Sequence, residues 1–196
     1  MNTNPISPRA GAVAGIIGSI AFASLWMAAA YLDCNWVLGK MTLSELGGSG
    51  RPGALLFDLG AMIAGAASLI FSAGLYRVLS TSALGRVGSA TLALASVLLI
   101  GVGVFPIDTG APHTFTSLSF FFLSAVAMAV LIVPVWRSHV LHGSGGLLTA
   151  VMLLVSLTGV ATLEVPAAEA LAVGCLLLWT VLIGIRVLWH HPGARS

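Results

Sequence analysis

Apolar residues fall into six long runs along the chain, at about 10–32, 54–76, 87–105, 114–136, 147–164 and 167–189, separated by polar or glycine-containing breaks. Each run can cross the roughly 30 Å hydrocarbon core of a bilayer at about 1.5 Å per helical residue. In that medium the backbone has no water to bond, so a spanning segment is either a helix or part of a closed barrel. Barrel strands alternate polar and apolar residues over about ten positions, and these runs do not alternate. The pattern predicts an all-α, polytopic six-helix bundle forming a single transmembrane domain over 1–196, with its longest loop at 33–53. The first run is about 23 residues, longer than the roughly 7–15 of a signal-peptide core. It is therefore expected to stay as the first membrane helix.

Local signals sharpen the helix ends. Pro52, Pro112 and Pro166 are expected in the first turns of helices 2, 4 and 6, where a missing N–H costs nothing. Gly85 and Gly143-Ser144-Gly145-Gly146 read as loop punctuation. Trp26, Tyr31, Trp36, Tyr76, Trp136 and Trp189 lie mostly near run ends, as interfacial anchors do, whereas Trp179 sits deep in helix 6 and reads as packing. Gly11, Gly15, Ala14 and Gly18 in helix 1, with Ala61 and Gly65 in helix 2, form small-residue stripes. These suit close helix contact, either within the bundle or between two copies.

Composition and charge then fix class and orientation. Hydrophobic residues make up 58% of the chain and charged residues 7%, against roughly 25% charged in soluble domains. Mean hydropathy is +1.06. The net charge of +2, with no basic run, excludes a nucleic-acid partner. Arg9, Arg77, Arg86, Arg137, Arg186 and Arg195 fall on the side of the two termini and the even-numbered loops. Asp33, Glu45, Asp108, Glu164 and Glu169, with Lys40 and Arg51, fall on the other, and Asp58 lies near that end of helix 2. Positive-inside bias predicts both termini in the cytoplasm and a multi-pass protein of the cell inner (plasma) membrane. Cys34 and Cys175 read as free thiols.

The acidic side carries the candidate chemistry. Asp58, an ionisable residue inside a span, defaults to a functional candidate; helical spacing puts it on a face with Ala54, Ala61, Met62 and Gly65. His113 opens helix 4, with Ser117 and Ser124 near the same face, and Asp108 stands in the tight turn before it. A carboxylate beside an imidazole is the arrangement of an acid–base pair, so Asp58, Asp108 and His113 are the catalytic candidates. The alternative is structural: an interhelical hydrogen bond for Asp58, a turn for Asp108 and a helix cap for His113. Thr42-Leu43-Ser44-Glu45 is a capping box that starts a short helix in the first loop. Trp36, Val37, Leu38, Leu43 and Leu46 could rest that loop in the membrane interface, as a plain surface segment or as a lid over a lipid-facing pocket. Ser44, Glu45 and Ser117 are the candidate substrate or lipid contacts. Glu169 is expected in the first turn of helix 6, suited to the helix dipole. His139, His142, His190 and His191 read as interfacial polar residues. No metal site and no cofactor fingerprint is legible.

Ser44-Glu45-Leu46-Gly47 before helix 2, Phe57-Asp58 within it, and Gly103-Val104-Phe105-Pro106-Ile107-Asp108 with His113 beyond resemble a family of prokaryotic six-helix membrane proteins catalogued as domain of unknown function 998. The family is regarded as distantly similar to the DRAM/Frag/Sfk-like membrane proteins. The resemblance covers nearly the whole chain and implies six helices but no assigned activity. The chain departs from the family's pattern at Asp58, where Asn is the more frequent residue. Three functions stay open: a non-catalytic accessory or lipid-responsive protein, an enzyme acting on a lipid or lipid-linked substrate at the outer leaflet, and a small transporter or channel. The expected partners are membrane lipids, with a further membrane protein or a second copy as possibilities.

Overall fold

The computed structural model describes residues 6–190. Six helices follow one another: α1 (Pro8–Leu32), α2 (Ala54–Val78), α3 (Ala83–Val104), α4 (Ala111–Arg137), α5 (His142–Thr162) and α6 (Val165–His190). All six are long and apolar enough to span a membrane. Each packs on its sequence neighbours, and α6 returns to α1, so the helices form a closed ring. Two short 3₁₀ helices, Ser44–Gly47 and Ile107–Thr109, stand at one end of the ring in the first and third loops. That end carries the acidic residues and is called the acidic end; the opposite one is the arginine end. Arg195 and His191 lie outside the described residues.

Lipid tails are as apolar as leucine, so burial against a neighbour gives a membrane helix little; close van der Waals packing must hold the ring together. Glycine supplies the closeness. A Cβ on Gly11 would come to 2.8 Å from the Cα of Gly74, and one on Gly65 to 2.8 Å from the Ser96 carbonyl. Gly88 packs on Leu131, Gly146 on Trp136 and Gly159 on Leu171, joining α3 to α4, α4 to α5 and α5 to α6. The small-residue stripe of α1 is thus spent inside the ring: Gly11 and Gly18 face α2, and Gly15 meets Phe71 and Thr180.

Three local expectations need correction. Gly85 and Gly143 to Gly146 are not loop residues but lie in the first turns of α3 and α5. They are small there because Leu79 and Trp136 press on Gly85 and Gly146. Pro52 does not open α2; it sits in the turn before Ala54, and Gly53 follows it with its Cα against Ala29.

The centre of the arginine half of the ring is filled. Phe71, Leu75, Leu79, Leu131, Trp179, Ile183 and Val187 pack into one buried cluster. Trp179 does more than fill space: its ring stands edge-on to Phe71 at 5.9 Å, and its Nε1–H donates to Thr149 Oγ1 at 2.9 Å. Outside the cluster, His142 and His190 meet edge-on at 5.0 Å, so two of the dispersed histidines are neighbours.

Candidate functional site: an intramembrane chamber under a loop plug

The first loop is an inserted plug. Thr42 N–H and Oγ1–H both donate to Glu45 Oε1 at 3.1 Å, which forms half of the predicted capping box and starts the 3₁₀ helix. Trp36 Nε1–H donates to the Thr42 carbonyl at 2.8 Å, and the Trp36 ring packs on Trp26. Arg51 closes the loop with a 2.9 Å bond to Asp33 and a 3.8 Å approach to Glu45. Trp36, Leu43 and Leu46 are buried with Phe22, Phe57 and Ala61 between α1 and α2, not laid along the interface; only Val37 and Leu38 are exposed. Gly47 allows this depth, because its Cα rests on the Asp58 carboxylate and the Phe57 ring.

Glu169 holds the plug from the other side. It is the fifth residue of α6, in the second turn and not the first as expected, because the helix begins two residues earlier, at Val165. Its carboxyl faces the backbone N–H groups of Ser44 and Leu43. These are the free donors at the start of the 3₁₀ helix, so Glu169 serves as a cap supplied by another element. Helical pattern alone could not reveal this, since the partner is about 125 residues away in sequence.

The three catalytic candidates gather at the acidic end but do not form a bonded triad. Asp58 lies in the second turn of α2, with Gly47 against its carboxylate and Gly103 against its backbone carbonyl. Its Oδ1 is buried and without a partner. Asp108 accepts a short hydrogen bond from Ser49 N–H, clasping the first loop to the third. The Ser49 side chain and N–H, with Arg51 nearby, hold the Asp108 carboxyl below the usual carboxylate range. The two aspartates are close enough for their charges to repel. His113 is buried, and its Nδ1–H donates to the Phe105 carbonyl at 2.7 Å, joining the start of α4 to the end of α3. That bond fixes the tautomer and leaves Nε2 as the acceptor. No carboxylate bond to His113 occurs among the described residues.

Below the plug the ring encloses a chamber of about 80 Å³. Its walls are mainly apolar: Phe57, Leu92, Leu99, Phe120, Phe121 and Leu176 among them. Ser44 and Glu169 stand at its mouth, and Trp179 forms its floor. Ser19, Ser68, Ser96, Ser117, Ser124 and Thr180 add hydroxyls. In lipid a buried hydroxyl normally returns its proton to its own helix. Ser72, Ser89, Ser96 and Thr149 do this, each donating to the carbonyl four residues back at 2.7–2.9 Å. Ser124 does not; it is 2% exposed and its Oγ has no partner. Of the candidate contacts, Ser44 and Ser117 line the chamber, while Glu45 is engaged in the loop's own architecture. Ser19, Ser68, Ser96, Ser124, Glu169 and Thr180 are polar chamber residues to which the sequence gave no ligand role.

Outside the chamber a second hollow of about 660 Å³ runs between α1 and α6 under the loop residues Leu38 and Gly39. Ile20, Ala23, Trp26, Ala170, Gly174 and Leu178 line it. Ser19, Leu43, Val173 and Leu177 line both spaces and form the partition between them.

The residues Gly47, Asp58, Gly103, Asp108 and His113, separate in sequence, thus meet at one end of the ring. No curated protein and no solved structure matches the chain. A family profile described as protein of unknown function (DUF998) matches residues 16–187, and the chain belongs to that family, as an integral membrane protein built on a six-helix ring.

Proposed function

We propose that the protein is a lipid-responsive, non-catalytic membrane protein that holds one amphiphile in the chamber and the adjoining hollow. The carrying observation is the chamber's own polarity: apolar walls, a closed aromatic floor at Trp179, and Ser44 with Glu169 at the mouth. A mainly apolar space whose one carboxyl stands at the mouth, with single hydroxyls along its walls, suits a molecule with a polar head and an apolar tail. The acidic mouth favours a head that donates hydrogen bonds, a hydroxyl or an ammonium, over a bare phosphate. Placing that mouth at the outer leaflet of the plasma membrane follows from the arginines at the opposite end. The test is a lipid carrying a photoactivatable group midway along its chain, reconstituted with the protein. Adducts on Phe120, Phe121 or Leu176 are expected; adducts confined to bilayer-facing Phe122 and Leu118 would contradict the reading.

A second reading is an enzyme acting on a lipid or lipid-linked substrate, using Asp58, Asp108 and His113. It is favoured by the unpartnered Oδ1 of Asp58 and the acceptor Nε2 of His113. Under it, Asp58→Asn and His113→Ala accumulate normally and lose all function. Under the first reading both keep lipid binding. A transport path has less support, because Phe71, Leu75, Trp179 and Ile183 fill the arginine half.

A further inference from the structure

We infer that the amphiphile enters sideways from the bilayer, through a portal between α1 and α6 whose leaf is Leu43, Val173 and Leu177. The inference rests on the lipid-binding reading and specifies how the site is reached.

Four observations carry it. First, α1 and α6 converge at one end only. Near the arginine end a Cβ on Gly184 would lie 3.0 Å from Ile16 and 3.2 Å from the Ala12 carbonyl, and one on Gly15 would lie 3.0 Å from Thr180. Toward the acidic end the helices part: Gly174 is exposed, and a Cβ there would meet nothing within 4 Å. Second, the gap is roofed but not filled. Leu38 and Gly39 line it from above, and Gly39 has a φ of +78°, which lets the chain turn sharply over the α6 residue Ala167. Third, the gap of about 660 Å³ has the size of a small-molecule site. The chamber behind it, about 80 Å³, holds no more than the end of a chain in the closed arrangement described. The two share Ser19, Leu43, Val173 and Leu177, so moving these side chains joins them into one space. Fourth, the unpartnered hydroxyl of Ser124 lies in the inner chamber, so that chamber has a polar group to offer an incoming molecule.

At the acidic end three other helix pairs are in close contact. Gly53 presses on Ala29 between α1 and α2, Gly101 on Thr116 between α3 and α4, and Gly159 on Leu171 between α5 and α6. On the α6 side Glu169 faces the backbone N–H groups of Leu43 and Ser44, at the start of the 3₁₀ helix. The buried Leu43 therefore stands between the chamber and the outer hollow.

The experiment loads purified protein with a deuterated ethanolamine-headed phospholipid, dilutes it into unlabelled lipid micelles, and follows exchange by native mass spectrometry. Gly174→Trp narrows the gap from open space, so the fold has room for it; the lipid that it retains should exchange at least roughly tenfold more slowly than in wild type, and a folded variant that retains none would make the gap the site itself and overturn the portal. Leu43→Ala thins the leaf and should speed exchange. Leu154→Trp, on the exposed face of α5, should exchange as wild type. Exchange at the wild-type rate in Gly174→Trp would overturn the portal while leaving the lipid-binding reading intact. Where tryptophan impairs insertion, Gly174→Met gives the same readout with a flexible side chain. Wild type that carries no lipid would overturn the lipid-binding reading and the portal with it.

Discussion

The Cα of Gly47 lies directly against Oδ1 of Asp58, so a methyl group at position 47 would fall inside contact distance of the carboxylate. The first loop reaches its depth only because that position carries no side chain. Gly47→Ala should therefore lift the plug and destabilise the protein by about 1–3 kcal/mol, as overpacking does. Thermal unfolding in detergent measures this; an unchanged midpoint would show that the loop yields without strain.

Asp58→Asn should behave in the opposite way. The carboxylate has a buried oxygen without a partner and a second carboxylate nearby. Removing the charge relieves both costs. The variant is expected to accumulate at least as well as wild type, with equal or higher thermal stability. Marked destabilisation would mean that an unrecognised partner holds the charge.

The clasp between Asp108 and Ser49 sets an acid limit on the two loops. The folded Asp108 carboxyl ionises below its ordinary range, so the clasp is fully present above about pH 4 and is lost as pH falls through the lowered folded value. Hydrogen exchange at residues 47–51 should be slow and flat from about pH 7 to 5 after correction for intrinsic rates. Asp108→Asn should raise it at both ends of that window. Equal protection in wild type and variant would remove the clasp from the account.

Trp179 is the floor of the chamber and donates to Thr149. Trp179→Phe should cost about 1 kcal/mol, the scale of an interhelical hydrogen bond in a membrane. Trp179→Ala should cost about 3–5 kcal/mol by opening the core. Equal costs for the two would mean that the indole N–H, not the ring volume, dominates.

The natural Cys34 is exposed at the acidic end and Cys175 is buried. A membrane-impermeant maleimide should therefore label intact cells at Cys34 if that end faces outward, as the arginine distribution predicts. Labelling only after the membrane is opened would reverse the topology.

The six spans were legible because lipid leaves a spanning chain one choice, and the apolar runs state it at each position. Their ends were less so. Gly85 and Gly146 look like punctuation in sequence, yet they lie inside helices because Leu79 and Trp136 need the room. That Asp58, Asp108 and His113 lie at one end of the bundle was legible, because successive helices run in opposite directions. Their bonds were not: His113 answers to the Phe105 carbonyl and Asp108 to Ser49, contacts made by backbone groups that no side-chain motif encodes. The role of Glu169 was hidden for the same reason, since its partners are the N–H groups of a distant loop. Ser124 stood on a visible stripe with His113, but its want of a partner depends on packing across the ring.

In the proposed reading the chamber beneath Leu43 and Ser44 and the hollow beside it together hold one amphiphile. Native mass spectrometry of the protein released from mild detergent tests it most directly. Wild type should retain one lipid per chain, and Val173→Phe, which thickens the partition lining both spaces, should lose it while remaining folded. Bare wild-type protein, or equal retention in Val173→Phe, would contradict the account.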